Sequence, residues 1–391
     1  MLHNLLIRPV LLVFILFGLA ACEVPVGGAA SGSSVDPTKT VVVALLVPTG
    51  SSDEGRNEIG ASLANAAKLA QSDLRGVTVD LKVYSTGGEL AGATAAAEKA
   101  VADGAEIIVG PLFGDATTAV APIASAAGLK VLSFSNNTII AGGNVWLLGP
   151  TYENTAKRIT GFAVSRGLTN IGIVHPVGID GELGRDAIRT AAGQLSANVV
   201  AVGTYPLSVQ GIADSASGIA RQMRGAGANA ILFTDGPTGG LPFVTETLRG
   251  LGVRANAVQF AGLQRWDVSS DALSQPGIQG GWFAAPDLSL TAQFSNRYEA
   301  VYGMPPHPLA SLAYDGVAAV GALIVEAQQE KKRDPFSTTR LTNPTGYVGV
   351  NGVFRFTADG KNQRNLAIFE VREGEAKILD PAPRGFTNSG S

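Results

Sequence analysis

From residue 41 onward, short apolar runs alternate with stretches in which apolar residues recur every three or four positions. A continuous apolar run suits a strand buried on both faces, and the three-to-four spacing is one face of a helix, so the alternation predicts parallel βαβ units. Residues 41–46 open as a strand, and Ile59, Leu63, Ala66, Ala67, Ala70 and Leu74 follow at helical spacing. Val77, Val79, Leu81 and Val83 alternate as a second strand, residues 90–102 form an alanine-rich helix, and residues 107–109 form a buried strand. Helix 117–127 and strands 131–133 and 145–148 precede Gly149-Pro150, which breaks the pattern and marks the end of a first lobe. The cycle then restarts: helices near 153–166, 184–195, 212–223 and 242–251 alternate with strands 171–174, 199–205, 230–233, 257–260 and 281–283. Pro286 marks a second break, before helices 290–302 and 309–329. The end reads as antiparallel strands around Asp359-Gly360 and Glu373-Gly374. The fold class expected is α/β with two doubly wound parallel-sheet lobes.

Composition sharpens this picture. Hydrophobic residues make up 46 % and charged residues only 16 %, so a large core is expected, with 49 glycines serving tight turns and close packing. A net charge of -3 with no basic run argues against nucleic acid as a partner. Residues 309–329 are apolar but contain Tyr314-Asp315-Gly316, and read as a helix packed on a sheet.

The N-terminus carries a separate signal. Residues 11–21 are apolar, too short to span a bilayer, follow Arg8 and end in Leu-Ala-Ala before Cys22, the only cysteine. This resembles the bacterial lipobox, which implies a signal peptide over 1–21, lipidation of Cys22, and a flexible Gly, Ala, Ser and Pro-rich tether over 22–40. The expected location is a membrane-anchored lipoprotein facing the periplasm. Glu23 is compatible with the outer membrane, though either membrane stays open. With Cys22 lipidated no disulfide can form within one chain.

The phrase Ile107-Ile108-Val109-Gly110-Pro111, the strand at Val131-Leu132-Ser133, and Tyr298-Glu299-x-x-Tyr302-Gly303-x-Pro305 before Tyr314-Asp315-Gly316-Val317 resemble type I periplasmic binding proteins of the leucine/isoleucine/valine-binding class. The resemblance covers residues 41–379 and implies lobes joined by three crossings, near Gly149-Pro150, Pro286 and Asn365, with a small polar ligand held between them. The lobes would be 41–150 with 286–364, and 151–285 with 365–385. In the first lobe it points to Phe113, Gly114, Ser133, Ser135, Asn136 and Asn137 as ligand-loop residues, and in the second to Asp180 in a βα loop at 178–181, Asp235 and Gln264. The loop at 112–115 departs from the family by lacking a serine, no aromatic stands near Asp180, and Gln264 replaces the acid expected for a ligand's ammonium. Asn136-Asn137 could equally be a left-handed turn, and Phe113 and Trp266 could be cleft aromatics or packed within their lobe.

No catalytic reading gathers support. His3, His175 and His307 are scattered, and no Cys/His cluster, zinc motif, nucleophile elbow or phosphate loop is present. Asp180, Asp235 and Asp267 could converge as hydrolytic carboxylates, a possibility that spacing alone does not settle. Two functions follow, neither needing a cofactor: capture of a small ligand for an ABC permease, or activation of a penicillin-binding protein by a lipoprotein of the same fold. In both, the lipid anchor ties the protein to the membrane.

Overall fold

The computed structural model describes residues 34–254, 257–268, 270–286 and 288–386. Cys22, the signal segment and most of the tether lie outside the described residues. The first sheet is all parallel, in the order β2-β1-β3-β4-β5, with β1 (Val41–Val47), β2 (Val79–Ser85), β3 (Ile107–Val109), β4 (Val131–Ser133) and β5 (Val145–Leu147). Alternation along β1 feeds two layers. Val43, Leu45 and Val47 face α1 (Glu54–Asp73), while Ala44 and Leu46 face α2 (Leu90–Ala102) and α3 (Gly114–Ala126).

The second sheet has seven strands, in the order β15-β14-β10-β9-β8-β6-β7. After α4 (Tyr152–Ser165), the parallel part follows the chain through β6 (Asn170–Pro176), α5 (Ile179–Gln194), β7 (Asn198–Tyr205), α6 (Val209–Gly225), β8 (Ala230–Phe233), α7 (Leu241–Gly250), β9 (Gln259–Gly262), the short α8 (Ser270–Leu273) and β10 (Trp282–Ala285). Helices α4 and α5 cover one face of this sheet, α6 and α7 the other.

The chain then returns to the first lobe with α9 (Leu288–Tyr302), α10 (Ala310–Gln329) and α11 (Thr338–Leu341). It adds a three-stranded antiparallel sheet: β11 (Tyr347–Gly349), which the pattern did not predict, with β12 (Gly352–Phe356) and β13 (Asn362–Arg364), which turn at the expected Asp359-Gly360. Tyr347, Phe354 and Phe356 of this sheet join the core that α10 shares with β1. Finally β14 (Ala367–Arg372) and β15 (Glu375–Asp380) add an antiparallel hairpin to the second sheet. Two lobes are thus joined by three crossings: after β5, after β10, and between β13 and β14.

Helix α10 is long and apolar enough to cross a membrane, yet most of it is buried against α1 and the first sheet. Its Tyr314 hydroxyl donates to Asp73 of α1 at 2.6 Å, and Arg297 of α9 donates to the same carboxylate at 2.7 Å. Partial burial pushes the Asp73 carboxyl up, but these two hydrogen bonds outweigh it and hold the group below its ordinary value.

The crossings are tied by side chains from β13. Asn362 donates to the carbonyls of Leu147 and Gly149, both at 2.8 Å, and accepts from Asn154 of α4 at 2.8 Å. Arg364 donates to the Leu148 carbonyl at 2.8 Å and pairs with the fully buried Asp315 of α10 at 3.1 Å. Arg158 of α4 donates to the Leu366 carbonyl at 2.6 Å, fastening the third crossing.

Candidate functional site

Ligands of open parallel sheets bind beyond the carboxyl ends of the strands, so the loops after β3, β4, β6, β8 and β9 are the positions to inspect. After β3 the chain turns through Gly110, whose φ of +89° and 2.3 Å approach of an added Cβ to the Leu46 carbonyl leave room for glycine only. Helix α3 begins at Gly114, with Phe113 at its cap. Gly114 and Asp115 therefore lie in the first helical turn and not in the loop expected over 112–115. Phe113 packs on its own lobe, with the Arg56 guanidinium 5.3 Å from its ring centre.

The loop after β4 satisfies itself. The Ser133 hydroxyl is buried, 2.7 Å from Thr117 Oγ1, donating to the Pro111 carbonyl and accepting from the Ser135 amide. Ser135 Oγ accepts from the Asn137 amide at 3.1 Å, and Asn137 Oδ1 accepts from the Ile139 amide at 3.1 Å. Neither Asn136 nor Asn137 is left-handed. Asn137 is instead the cap of a short 3-10 turn, and Asn136 is the exposed member of the pair.

In the second lobe, Gly178 with φ +124° caps α5, so Ile179, Asp180 and Gly181 are helical and the loop expected over 178–181 is absent. Asp180 sits exposed in the first turn of α5. Asp235 is buried and occupied: it accepts from Tyr205 Oη at 2.9 Å, from the Gly236 amide at 2.8 Å and from the Gly240 amide at 2.5 Å. Burial, together with the Asp235 charge and this hydrogen bond, pushes the Tyr205 hydroxyl pKa up. Asp235 thus shapes the loop after β8. Gln264 donates to the Thr234 carbonyl at 3.1 Å and borders a cleft. Trp266 is a core residue, stacked over Gly262 and Gly281.

That cleft is a cavity of about 340 Å³ with walls from both lobes and from the crossings. Asn136, Leu309 and Ser311 come from the first lobe, Tyr152, Thr155, Gln264 and Arg265 from the second, and Arg364 from the third crossing. A smaller cavity of about 200 Å³ adjoins it, sharing Asn136 and Tyr152 and adding Ile139, Ile179 and Asp180. Burial, with Asp180 and Asp235 nearby, pushes the Tyr152 hydroxyl above its ordinary pKa. Of the nine expected ligand residues, Asn136 and Gln264 reach the larger cavity, and Asn136, Asn137 and Asp180 the smaller. Phe113, Gly114, Ser133, Ser135 and Asp235 line neither.

The polar residues that reasoning from sequence missed are Thr151, Tyr152, Thr155, Arg265, Ser311, Asn351 and Arg364. One signal was available: Asn362 and Arg364 alternate with period two onto the buried face of a strand, where unpaired polar groups are costly.

Among the described residues no group of three or more His, Cys, Asp or Glu side chains could hold a metal. The three candidate hydrolytic carboxylates do not form a free pair, since Asp235 already accepts three hydrogen bonds and Asp267 is forked onto Arg265 at 2.8 and 2.9 Å.

Solved structures with this fold include a Rhodospirillum rubrum protein assigned to branched-chain amino acid ABC transport, 18 % identical, with a TM-score of 0.73 over 87 % of this chain and 100 % of that one. An ABC transporter substrate-binding protein from Desulfitobacterium hafniense in complex with Leu is 18 % identical, with a TM-score of 0.62 over 87 % of this chain and 100 % of that one. An ABC transporter solute-binding protein from Rhodopseudomonas palustris BisB5, in complex with 3,4-dihydroxybenzoic acid, is 17 % identical, with a TM-score of 0.58 over 89 % and 97 %. At these identities the likeness establishes the fold. No curated protein matches the chain. A family model described as periplasmic binding protein matches residues 40–376, a span that takes in both sheets and all three crossings, and the chain belongs to that family.

Proposed function

We propose that this protein is a lipid-anchored solute-binding protein that captures a small ligand between its lobes and hands it to an ABC permease. The observation that carries the reading is the cavity walled by both lobes and bordered by the crossings, where a rotation of one lobe against the other would enclose a guest. Its volume of about 340 Å³ suits a molecule of amino-acid or single-ring size. The neighbours crystallised with leucine and with 3,4-dihydroxybenzoic acid hold guests of that size. The hinge divides the chain into 41–150 with 286–364 and 151–285 with 365–385.

Thermal melts across amino acids and small organic acids test capture directly. A true ligand at one hundred times its Kd adds about 2.7 kcal/mol of stability, a shift of several degrees. The anchor is tested apart from the cleft: Cys22→Ser should move the protein from the membrane to the soluble fraction, and unchanged membrane association would refute lipidation.

A second reading, activation of a penicillin-binding protein, draws on the loops after β3 and β4. Their hydroxyls at Ser133 and Ser135 serve the loops themselves and line neither cavity. Flat melts across the whole ligand set, together with binding to a purified penicillin-binding protein, would favour it over transport.

A further inference from the structure

We propose that the end of the second lobe remote from the cleft docks onto an anionic membrane surface, through arginines set around an exposed leucine. Strands β6, β7, β8 and β9 are parallel and point toward the cleft, so the loops that lead into them gather at the opposite end of the lobe. Residues 165–170, 193–198, 221–229 and 249–259 take in these loops and the helix ends before them. They carry Arg166, Arg221, Arg224, Arg249 and Arg254, and not one Asp or Glu. The chain has no basic run because these arginines come from separate loops that only the fold brings to one end.

Among the described residues none of the five forms an ion pair, and Glu246, one turn before Arg249 on α7, reaches none of them. Nη1 of Arg249 is buried without a hydrogen-bond partner, so its charge is met by no acid from within the fold. Helix C-termini favour cations, which accounts for Arg224 and Arg249 in the last turns of α6 and α7. It does not account for Arg254, which lies past its helix, or for the loss of every acid from four successive connections. The corresponding end of the first lobe is different: there Lys99 pairs with Asp103 at 3.0 Å and Arg333 with Asp36 at 3.7 Å. In the second lobe, the acids of the β14–β15 turn, Glu373 and Glu375, stand three strands along from β8.

The apolar residue at this tip favours a membrane over a soluble polyanion. Leu251 is 37 % exposed between Arg249 and Arg254, and Arg224 Nη1 donates to its carbonyl at 2.6 Å, which ties the end of α6 to the end of α7. Gly250 and Gly252 flank it, so no side chain on either side holds a flat surface away. A leucine ringed by cations fits the boundary between headgroups and acyl chains, whereas a phosphate polymer has no use for it. The chain enters the first lobe at its own remote end, where the Val35 amide donates to the Arg333 carbonyl at 3.0 Å. An anchor on that side and a basic tip on the other would lay the molecule along the bilayer, with the cleft between the two points of attachment.

The test uses residues 23–391, which keep every described residue and leave out the apolar leader and Cys22, so lipidation cannot contribute. Vesicles of phosphatidylcholine alone are compared with vesicles containing about 30 % phosphatidylglycerol by co-sedimentation at low salt. Binding to the anionic vesicles should be at least about tenfold stronger, and most of it should be lost at about 0.5 M salt, where the Debye length is roughly 4 Å. Arg221 and Arg254 are exposed and make no hydrogen bond, so Arg221→Gln with Arg254→Gln should leave the fold intact and weaken binding by about tenfold or more, each arginine near such a surface contributing roughly fivefold. Leu251→Asn should weaken it by about threefold or more. Lys331→Gln with Lys332→Gln, the same loss of charge at the first lobe's remote end, should leave it within about twofold. Equal binding to both kinds of vesicle, or an equal loss in the lysine pair, would overturn the proposal. Retention on immobilised polyphosphate without vesicle binding would make the tip a soluble-polyanion site and overturn the membrane assignment. None of these outcomes involves the cleft, so solute capture stands or falls separately.

Discussion

Arg364→Met is expected to lower the unfolding free energy by about 3–5 kcal/mol, measured by urea denaturation at neutral pH. Asp315 is fully buried, and its partners are Arg364 at 3.1 Å and the Val350 amide at 2.7 Å. Burial pushes the Asp315 carboxyl up, and Arg364 is the largest influence holding it down. The same guanidinium caps the Leu148 carbonyl and lies 4.6 Å from the Phe354 ring centre, so methionine removes two further contacts. Without the arginine, the buried acid has a folded pKa well above its unfolded one. Such a group contributes stability below the unfolded pKa and loses it as pH rises, so the deficit of the variant should be smaller near pH 4–5 than near pH 7.5. Adding Asp315→Leu should recover most of the loss, because an apolar pair of similar volume avoids an uncompensated charge. If the single variant is as stable as the parent at pH 7.5, the ion pair does not hold the crossings together.

The second large effect belongs to Trp266→Ala, for which a loss of about 3–5 kcal/mol is expected. The indole fills a slot made by two glycines: a Cβ at Gly262 would fall 2.2 Å from its Nε1, and one at Gly281 would fall 2.4 Å from its Cζ3. Phe283, 6.2 Å away centre to centre, continues the packing into the core of the second lobe. Alanine here leaves a cavity that neither glycine can fill. Because Gln264 and Arg265 precede the indole in the same loop, the variant should also weaken binding of whichever ligand the parent takes, read by calorimetry at a temperature where both are folded. A loss confined to stability would mean that the loop keeps its shape without the anchor.

The architecture was legible because its elements obey simple periods. Buried parallel strands such as β3 and β8 read as unbroken apolar runs, and α10 declared itself a packed helix through Asp315 in its apolar face. Helix starts were read to within about a residue at α4, which Thr151 caps, and at α2, which no side chain caps. They were missed at α3 and α5, where Phe113 and Gly178 occupy the cap positions without a side-chain hydrogen bond, and both segments were read as loops. The site was harder to read. Serine and asparagine after a strand suggest ligand contact, but a tight loop must first satisfy its own amides, and Ser133, Ser135 and Asn137 do so. The cavity wall joins residues such as Asn136, Arg265 and Asn351, whose meeting depends on how two lobes face each other and leaves no local trace.

The three crossings also constrain the order in which the molecule can be completed. Helix α10 packs on α1, although more than two hundred residues, including the parallel part of the second sheet, separate them along the chain. As synthesis proceeds from the N-terminus, β1 to β5 emerge with one face of their sheet covered by α1 alone, and α10, which completes that face, arrives only after β10. Such distant closure is entropically slow, so the lobe that begins first is sealed only after the parallel part of the other has been made.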